Sequence, residues 1–230
     1  AKTGQRYVPA DGGLVRRRRI DNPVISMQDV VVNRRLTMKR LALFGLVLLG
    51  GCVVQSFHPF YSNNAKVELP QAIGEWNLVA AGNDTNVACK PWVFTTSYEL
   101  LTYGEKDVPG KLQATFFKVG GQLFCDFEAG EAEEGKLNAY WILHVRPVHT
   151  VAKVQLEKQQ LTLVPMSFDW FKKALASKQI DLPHLKGKKD DDFLVTATPD
   201  QWAKFLQKYG ADTNAFPQST AYVLRKRSAP

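Results

Sequence analysis

Cysteines, histidines, serines and clustered carboxylates are the side chains of this chain that could do chemistry, and their spacing decides which of them are placed for it. Three cysteines occur, Cys52, Cys89 and Cys125. Cys52 stands directly behind an apolar run and two glycines, a position that suits covalent modification of its thiol. Cys89 and Cys125 could pair in an oxidising compartment. Their disulfide would close a loop of about 36 residues and stabilise by roughly 3–4 kcal/mol on the chain-entropy model. The alternative is two buried free thiols that behave as small apolar residues. His144 and His149, in His-Val-Arg-Pro-Val-His, are five apart and so fall on opposite faces of a strand, with Pro147 between them. A metal there would need further ligands that no spacing supplies, and His58 and His184 have no partner by spacing. Asp190-Asp191-Asp192 lacks the alternation and the glycine of a calcium loop. Like Glu131, Glu133 and Glu134, it reads as a solvated turn. Ser97 and Ser167 have no G-x-S-x-G context, and neither a GxGxxG nor a phosphate-binding loop occurs. The chain is therefore expected not to be an enzyme, with no catalytic residue, no metal and no cofactor.

The surroundings of Cys52 are more specific. Lys39 and Arg40 precede an apolar run of nine residues, Leu41 to Leu49, and Gly50-Gly51-Cys52 follow. A transmembrane helix needs about 20 apolar residues, so this run is too short to span and long enough for the core of a secretory signal. The basic pair supplies the positive flank that stays on the cytoplasmic side. Past Cys52 the chain turns polar at Gln55, Ser56 and His58.

Leu49-Gly50-Gly51-Cys52 resembles the lipobox of bacterial lipoproteins. The resemblance implies that the Cys52 sulfur carries diacylglycerol, that signal peptidase II cuts ahead of it, and that its freed amine is acylated. Two or three acyl chains exceed the two-signal threshold for stable anchoring. Residues 38–51 are then the signal peptide, 52–70 the lipidated cysteine and a tether, 71–216 a single β-rich domain and 217–230 a C-terminal tail. Val53, where an aspartate would imply inner-membrane retention, favours the outer membrane, facing the periplasm. Residues 1–37 read as an over-extended or disordered N-terminal segment ahead of Met38, with Met27 as another start.

Charge is concentrated in the leader. The whole chain is +8, but residues 1–51 hold 10 of its 30 basic groups and only 3 of its 22 acidic ones. From Cys52 onward the net is +1, without the electrostatic footprint that nucleic acid requires. An apolar fraction of 45% supports a packed globule over a disordered stalk.

The elements that must position any site follow from period-two patterning. Strands are expected over Trp76–Ala81, Trp92–Tyr103, Leu112–Val119, Gln122–Phe127, Leu137–Arg146, Val151–Leu156 and Leu161–Val164. Gly120-Gly121 marks a hairpin. The stretch Val53 to Leu69 is broken by Pro59 and Asn63-Asn64, but Phe57, Phe60 and Tyr61 are too apolar for a pure linker, so part of it should pack on the domain. Ser167 caps a helix through Leu175. Phe193–Thr196 forms a short strand. Thr198-Pro199 starts a second helix carrying Trp202, Phe205, Leu206 and Tyr209, with Gly210 as its stop. The tail from Arg225 looks frayed. The expected fold is mainly β (α+β), an antiparallel barrel or sandwich with two packed helices.

Gly74-Glu75-Trp76 is similar to the G-x-W that opens the lipocalin barrel. That likeness implies a tryptophan plugging one end and a late arginine stacked on it, for which Arg146 is a candidate. The stretch Gln55-Ser56-Phe57-His58-Pro59-Phe60-Tyr61 with Gly74-x-Trp76 also resembles a family of bacterial lipoproteins that carries no known activity. Trp76, Trp92, Phe94, Tyr98, Phe116 and Trp141 (with Phe124 beside them) could line an apolar pocket or fill a closed core. The expected function is a non-catalytic, membrane-anchored envelope lipoprotein that binds a small apolar ligand or a partner protein. The alternatives are an assembly lipoprotein docked on an envelope complex, and an envelope hydrolase.

Overall fold

The computed structural model describes residues 53–85, 90–103, 109–130, 147–187 and 193–227. The chain divides into a unit of Ala1–Leu49 and one of Gly50–Pro230, and every described residue belongs to the second. Seven strands follow one another as antiparallel neighbours: β1 (Gly74–Ala81), β2 (Trp92–Phe94), β3 (Glu99–Tyr103), β4 (Pro109–Val119), β5 (Gln122–Ala129), β6 (His149–Glu157) and β7 (Gln160–Pro165). The chain then leaves the sheet for helix α1 (Phe168–Ala176), a hairpin of β8 (His184–Lys186) and β9 (Phe193–Val195), and helix α2 (Pro199–Tyr209). It returns as β10 (Tyr222–Lys226), which pairs with both β7 and β1 and closes an eight-stranded up-and-down barrel.

Local chemistry explains the boundaries. Gly120 and Gly121 adopt φ of 57° and 76°, the conformation of a tight β4–β5 hairpin turn, with Val119 paired to Gln122. Ser167 caps α1 by accepting from the Trp170 N–H. Thr198 and Gln201 form a reciprocal capping box on α2, with Pro199 in the first turn. Gly210 does end α2, but with φ of −64° it is right-handed. What it supplies is room, because a Cβ there would lie 2.7 Å from Phe124 Cζ on the barrel wall. Gly210→Ala is expected to cost about 1–3 kcal/mol as an overpacked contact, read from chemical denaturation.

Two expectations are corrected. Trp92–Tyr103 is two strands, reversing at Thr95–Tyr98. Thr95 Oγ1 accepts from the Glu99 N–H, the Tyr98 N–H donates to the Thr95 carbonyl, and Tyr98 takes φ of 61°. No glycine or proline marks this turn, so the alternation reads straight through it. The supposed tail holds β10: its Leu224 is fully buried in the barrel while Arg225 points outward, so the basic run Arg225-Lys226-Arg227 masks a strand. The Leu137–Arg146 strand lies outside the described residues.

Alternation on the barrel strands buries both faces and makes two cores. Phe116, Cys125, Ala152, Leu161, Leu163 and Leu224 point inward. Phe117, Phe124, Val151 and Val164 point outward, into a second core built with Phe171, Trp202, Phe205 and Phe216 from the helical segment. The stretch expected as a tether knits the two together. Val54 and Phe60 are buried in the outer core, whereas Val67, Leu69 and Ala72 cover the barrel interior. Packing of this stretch on the domain, expected from Phe57, Phe60 and Tyr61, therefore begins no later than Val54.

Candidate functional site

Of the aromatic residues expected to line a pocket, Trp76, Trp92, Phe94, Tyr98 and Phe116 are brought together in the barrel, and Phe124 lies on its outer face. Gly74, at φ of 126°, starts β1 in a conformation that L side chains rarely adopt, and Trp76 follows with 0% exposure. Its indole N–H donates to the Ala72 carbonyl at 2.7 Å, tying it to the short 3-10 turn Pro70–Ala72 that closes this end. A cation does lie over the Trp76 ring, 5.3 Å from its centroid, but it is Lys226 of β10, which also donates to the Gln71 carbonyl. Arg146 lies outside the described residues, as does Trp141.

Phe94 and Phe116 are 1% and 2% exposed, with centroids 6.0 Å apart, and Tyr98 meets Phe116 edge-on at 5.8 Å. The Tyr98 hydroxyl accepts from the Leu69 N–H. Trp92 packs on Tyr222 at the rim. A side chain lining a ligand-sized void keeps exposed area; Trp92 and Tyr98 keep part of theirs, whereas Trp76, Phe94 and Phe116 keep almost none. The last three are packed core. Among the surface grooves of the described residues are one of about 240 Å3 beside Ile180, Lys204 and Phe205 and one of about 150 Å3 beside Glu75, Tyr103 and Arg227. Both are smaller than the usual range for small-molecule sites.

Cys125 is a free thiol, fully buried on the inner face of β5. Burial pushes its pKa well up, helped by the neighbouring Asp126 charge, which makes it an inert structural cysteine. Cys89 and Cys52 lie outside the described residues, as do His144 and Asp190 to Asp192. Among the described residues no group of three potential ligands could hold a metal, and no helix is long and apolar enough to cross a membrane.

Among the described residues, a concentrated polar constellation sits on the outer face of the barrel, under residues 53–60. Asp126 on β5 and His149 on β6 are 2% and 7% exposed. His149 Nδ1 meets Asp126 Oδ1 at 2.8 Å, and Asp126 Oδ2 accepts from the Phe60 N–H at 3.0 Å. Glu128 Oε1 stands 4.0 Å from His149 Nε2. The backbone of Ser56 exchanges both hydrogen bonds with His149, at 2.9 and 2.8 Å. The Ser56 hydroxyl donates to the His58 carbonyl and accepts from the Trp202 indole N–H at 2.9 Å. On the other side, the Phe57 N–H donates to the Val195 carbonyl and the Val195 N–H to the Gln55 carbonyl. Residues 53–57 thus fill the edge of β6 where β7 has turned away into α1, and they carry β9 on their far side.

Serine, histidine and aspartate meet here without the order of a hydrolytic triad. The serine hydroxyl is spent on structure, and both imidazole nitrogens face carboxylates. This cluster is a clasp. Burial lowers the His149 pKa, but the hydrogen bond and charge of Asp126, with Glu128 adding, raise it further, so the net shift is upward. A group whose folded pKa is raised stabilises fully below its unfolded value of about 6.5, and loses that contribution as pH rises through the folded value. Thermal stability is expected to fall over that window, and His149→Gln to flatten the fall. A wild-type melting temperature that rises through the same window contradicts the clasp.

Sequence reasoning paired His149 with His144 and missed Asp126. The available signal was Phe124: on a strand whose Leu123, Cys125 and Phe127 form one apolar face, it shares the other face with Asp126, which marks that face as covered too. Comparison of the chain with protein-family models, with curated proteins and with solved structures finds no match.

Proposed function

We propose that the chain is a non-catalytic lipoprotein of the bacterial envelope, held by acyl chains on Cys52 and facing the periplasm from the outer membrane, which works by docking a partner protein on its outer surface. The observation that carries the choice of a protein partner over a small apolar ligand is the close packing of Trp76, Phe94 and Phe116 inside the barrel, each at most 2% exposed. These packed side chains favour binding on the outside. The lipobox-like Leu49-Gly50-Gly51-Cys52 supports the anchor.

Metabolic labelling with palmitate in a diderm bacterium tests the anchor: label is expected in the wild-type chain and lost on inhibition of signal peptidase II. Titration of the purified protein with an environment-sensitive apolar dye tests the filled barrel. No saturable binding is expected, and stoichiometric enhancement that Phe116→Trp abolishes would restore the ligand-binding alternative.

A further inference from the structure

We infer that the outward face of the small sheet formed by residues 53–57, β9 and β8 lies against the phospholipid bilayer, so that the anchor fixes the orientation of the domain as well as its location. The inference rests on the proposed acylation of Cys52. A single peptide link, about 3.8 Å between Cα atoms, joins Cys52 to Val53. Val53 already bridges to Ser167 and Val54 is 1% exposed, so the backbone is fixed from the next residue on. There is no slack to hold the domain away from the headgroups.

The exposed face beside that link has the chemistry for such a contact. Residues 53–57 alternate: Val54 and Ser56 are buried against the barrel and helices, while Val53 and Phe57 point away and are 41% and 44% exposed. Ser56 lies opposite the buried Val195, so Leu194 shares the outward side, and the β8–β9 register sets Leu185 opposite Leu194. Leu185 is 62% exposed. Val53, Phe57 and Leu185 are the exposed large hydrophobic residues among those described, and they fall on one face, spread over two strand spacings of about 4.8 Å each. No carboxylate occurs in 53–57, β8 or β9. An apolar face free of carboxylates suits an interfacial contact.

The test uses the full chain, processed in a diderm host and reconstituted in vesicles of phosphatidylethanolamine and phosphatidylglycerol. A nitroxide is attached at Leu185→Cys or, as reference, at the exposed Lys118→Cys on β4, both in a Cys89→Ser background. Collision with an aqueous nickel complex is expected to be at least about fivefold lower at 185 than at 118, as for a probe seated in the headgroup region. The mass of the same sample shows whether Cys52 is acylated. Equal accessibility at the two positions with Cys52 acylated overturns the orientation and leaves the anchor standing. Shielding at 185 in native membranes but not in lipid-only vesicles also overturns it, assigning the face to a protein partner. A bare Cys52 overturns both.

Discussion

Asp126→Ala is expected to destabilise the domain by about 3–5 kcal/mol, the cost of removing one partner from a buried ion pair, and to lower the melting temperature by roughly 10 °C for a unit of this size. The change does three things together. It leaves His149 buried without its main counter-charge, it leaves the Phe60 N–H without its acceptor, and it opens space under Phe60, whose ring packs tilted against Trp202 at 4.2 Å. Asp126→Asn keeps the shape and one acceptor and should cost less. In a double-mutant cycle with His149→Gln, the two losses should be strongly non-additive, because the second removes a charge whose partner is already gone. Additive losses would mean that Asp126 and His149 act as separate buried polar groups. The effect should also reach the chain's entry into the fold: proteolysis between Val53 and Tyr61, slow in the wild type, should become fast in Asp126→Ala.

The second large effect concerns location. On the proposed reading, Cys52→Ser protein, exported behind a signal peptide cleaved ahead of residue 52, is expected to move from the membrane fraction to the soluble periplasm. Each buried acyl CH2 contributes about 0.8 kcal/mol, and one chain alone gives only marginal, reversible attachment. Fully burying a large apolar side chain contributes about 1.5–3 kcal/mol, and Val53, Phe57 and Leu185 are already partly covered. They orient the domain but fall well short of two or three acyl chains. Retention of the Cys52→Ser protein on membranes that have been washed with high salt would show that something other than acylation holds it.

Much of the barrel was legible because strands announce themselves by alternation and their ends by glycine. Gly120-Gly121 and the run Leu123, Cys125, Phe127 were sufficient for the β4–β5 hairpin. The caps of both helices were equally plain in Ser167 and Thr198-Pro199. What escaped was structure that local pattern does not encode. The Thr95–Tyr98 reversal is made by hydroxyls and a strained tyrosine, so nothing breaks the rhythm. The closing strand β10 is basic where it faces solvent. Most of the clasp escaped too: Asp126 and His149 are 23 residues apart, and Ser56 joins them from another 70 residues upstream. Only the doubled apolar faces, Phe116 with Phe117 and Phe124 with Cys125, hinted that a helical layer covers the outside. Of the candidate pocket residues, Trp76, Trp92, Phe94, Tyr98 and Phe116 gather in the barrel, whereas Phe124 faces the outer core. Whether they line a void or fill one is a question of packing, which composition does not decide.

The anchor itself is read most directly from the mature N-terminus. Mass spectrometry of the tryptic peptide ending at Lys66, from protein made in a diderm host, should find it beginning at Cys52 and carrying diacylglycerol on sulfur, with an acyl group on nitrogen. A peptide that starts upstream of residue 52, or one that starts there with a bare thiol, contradicts the account.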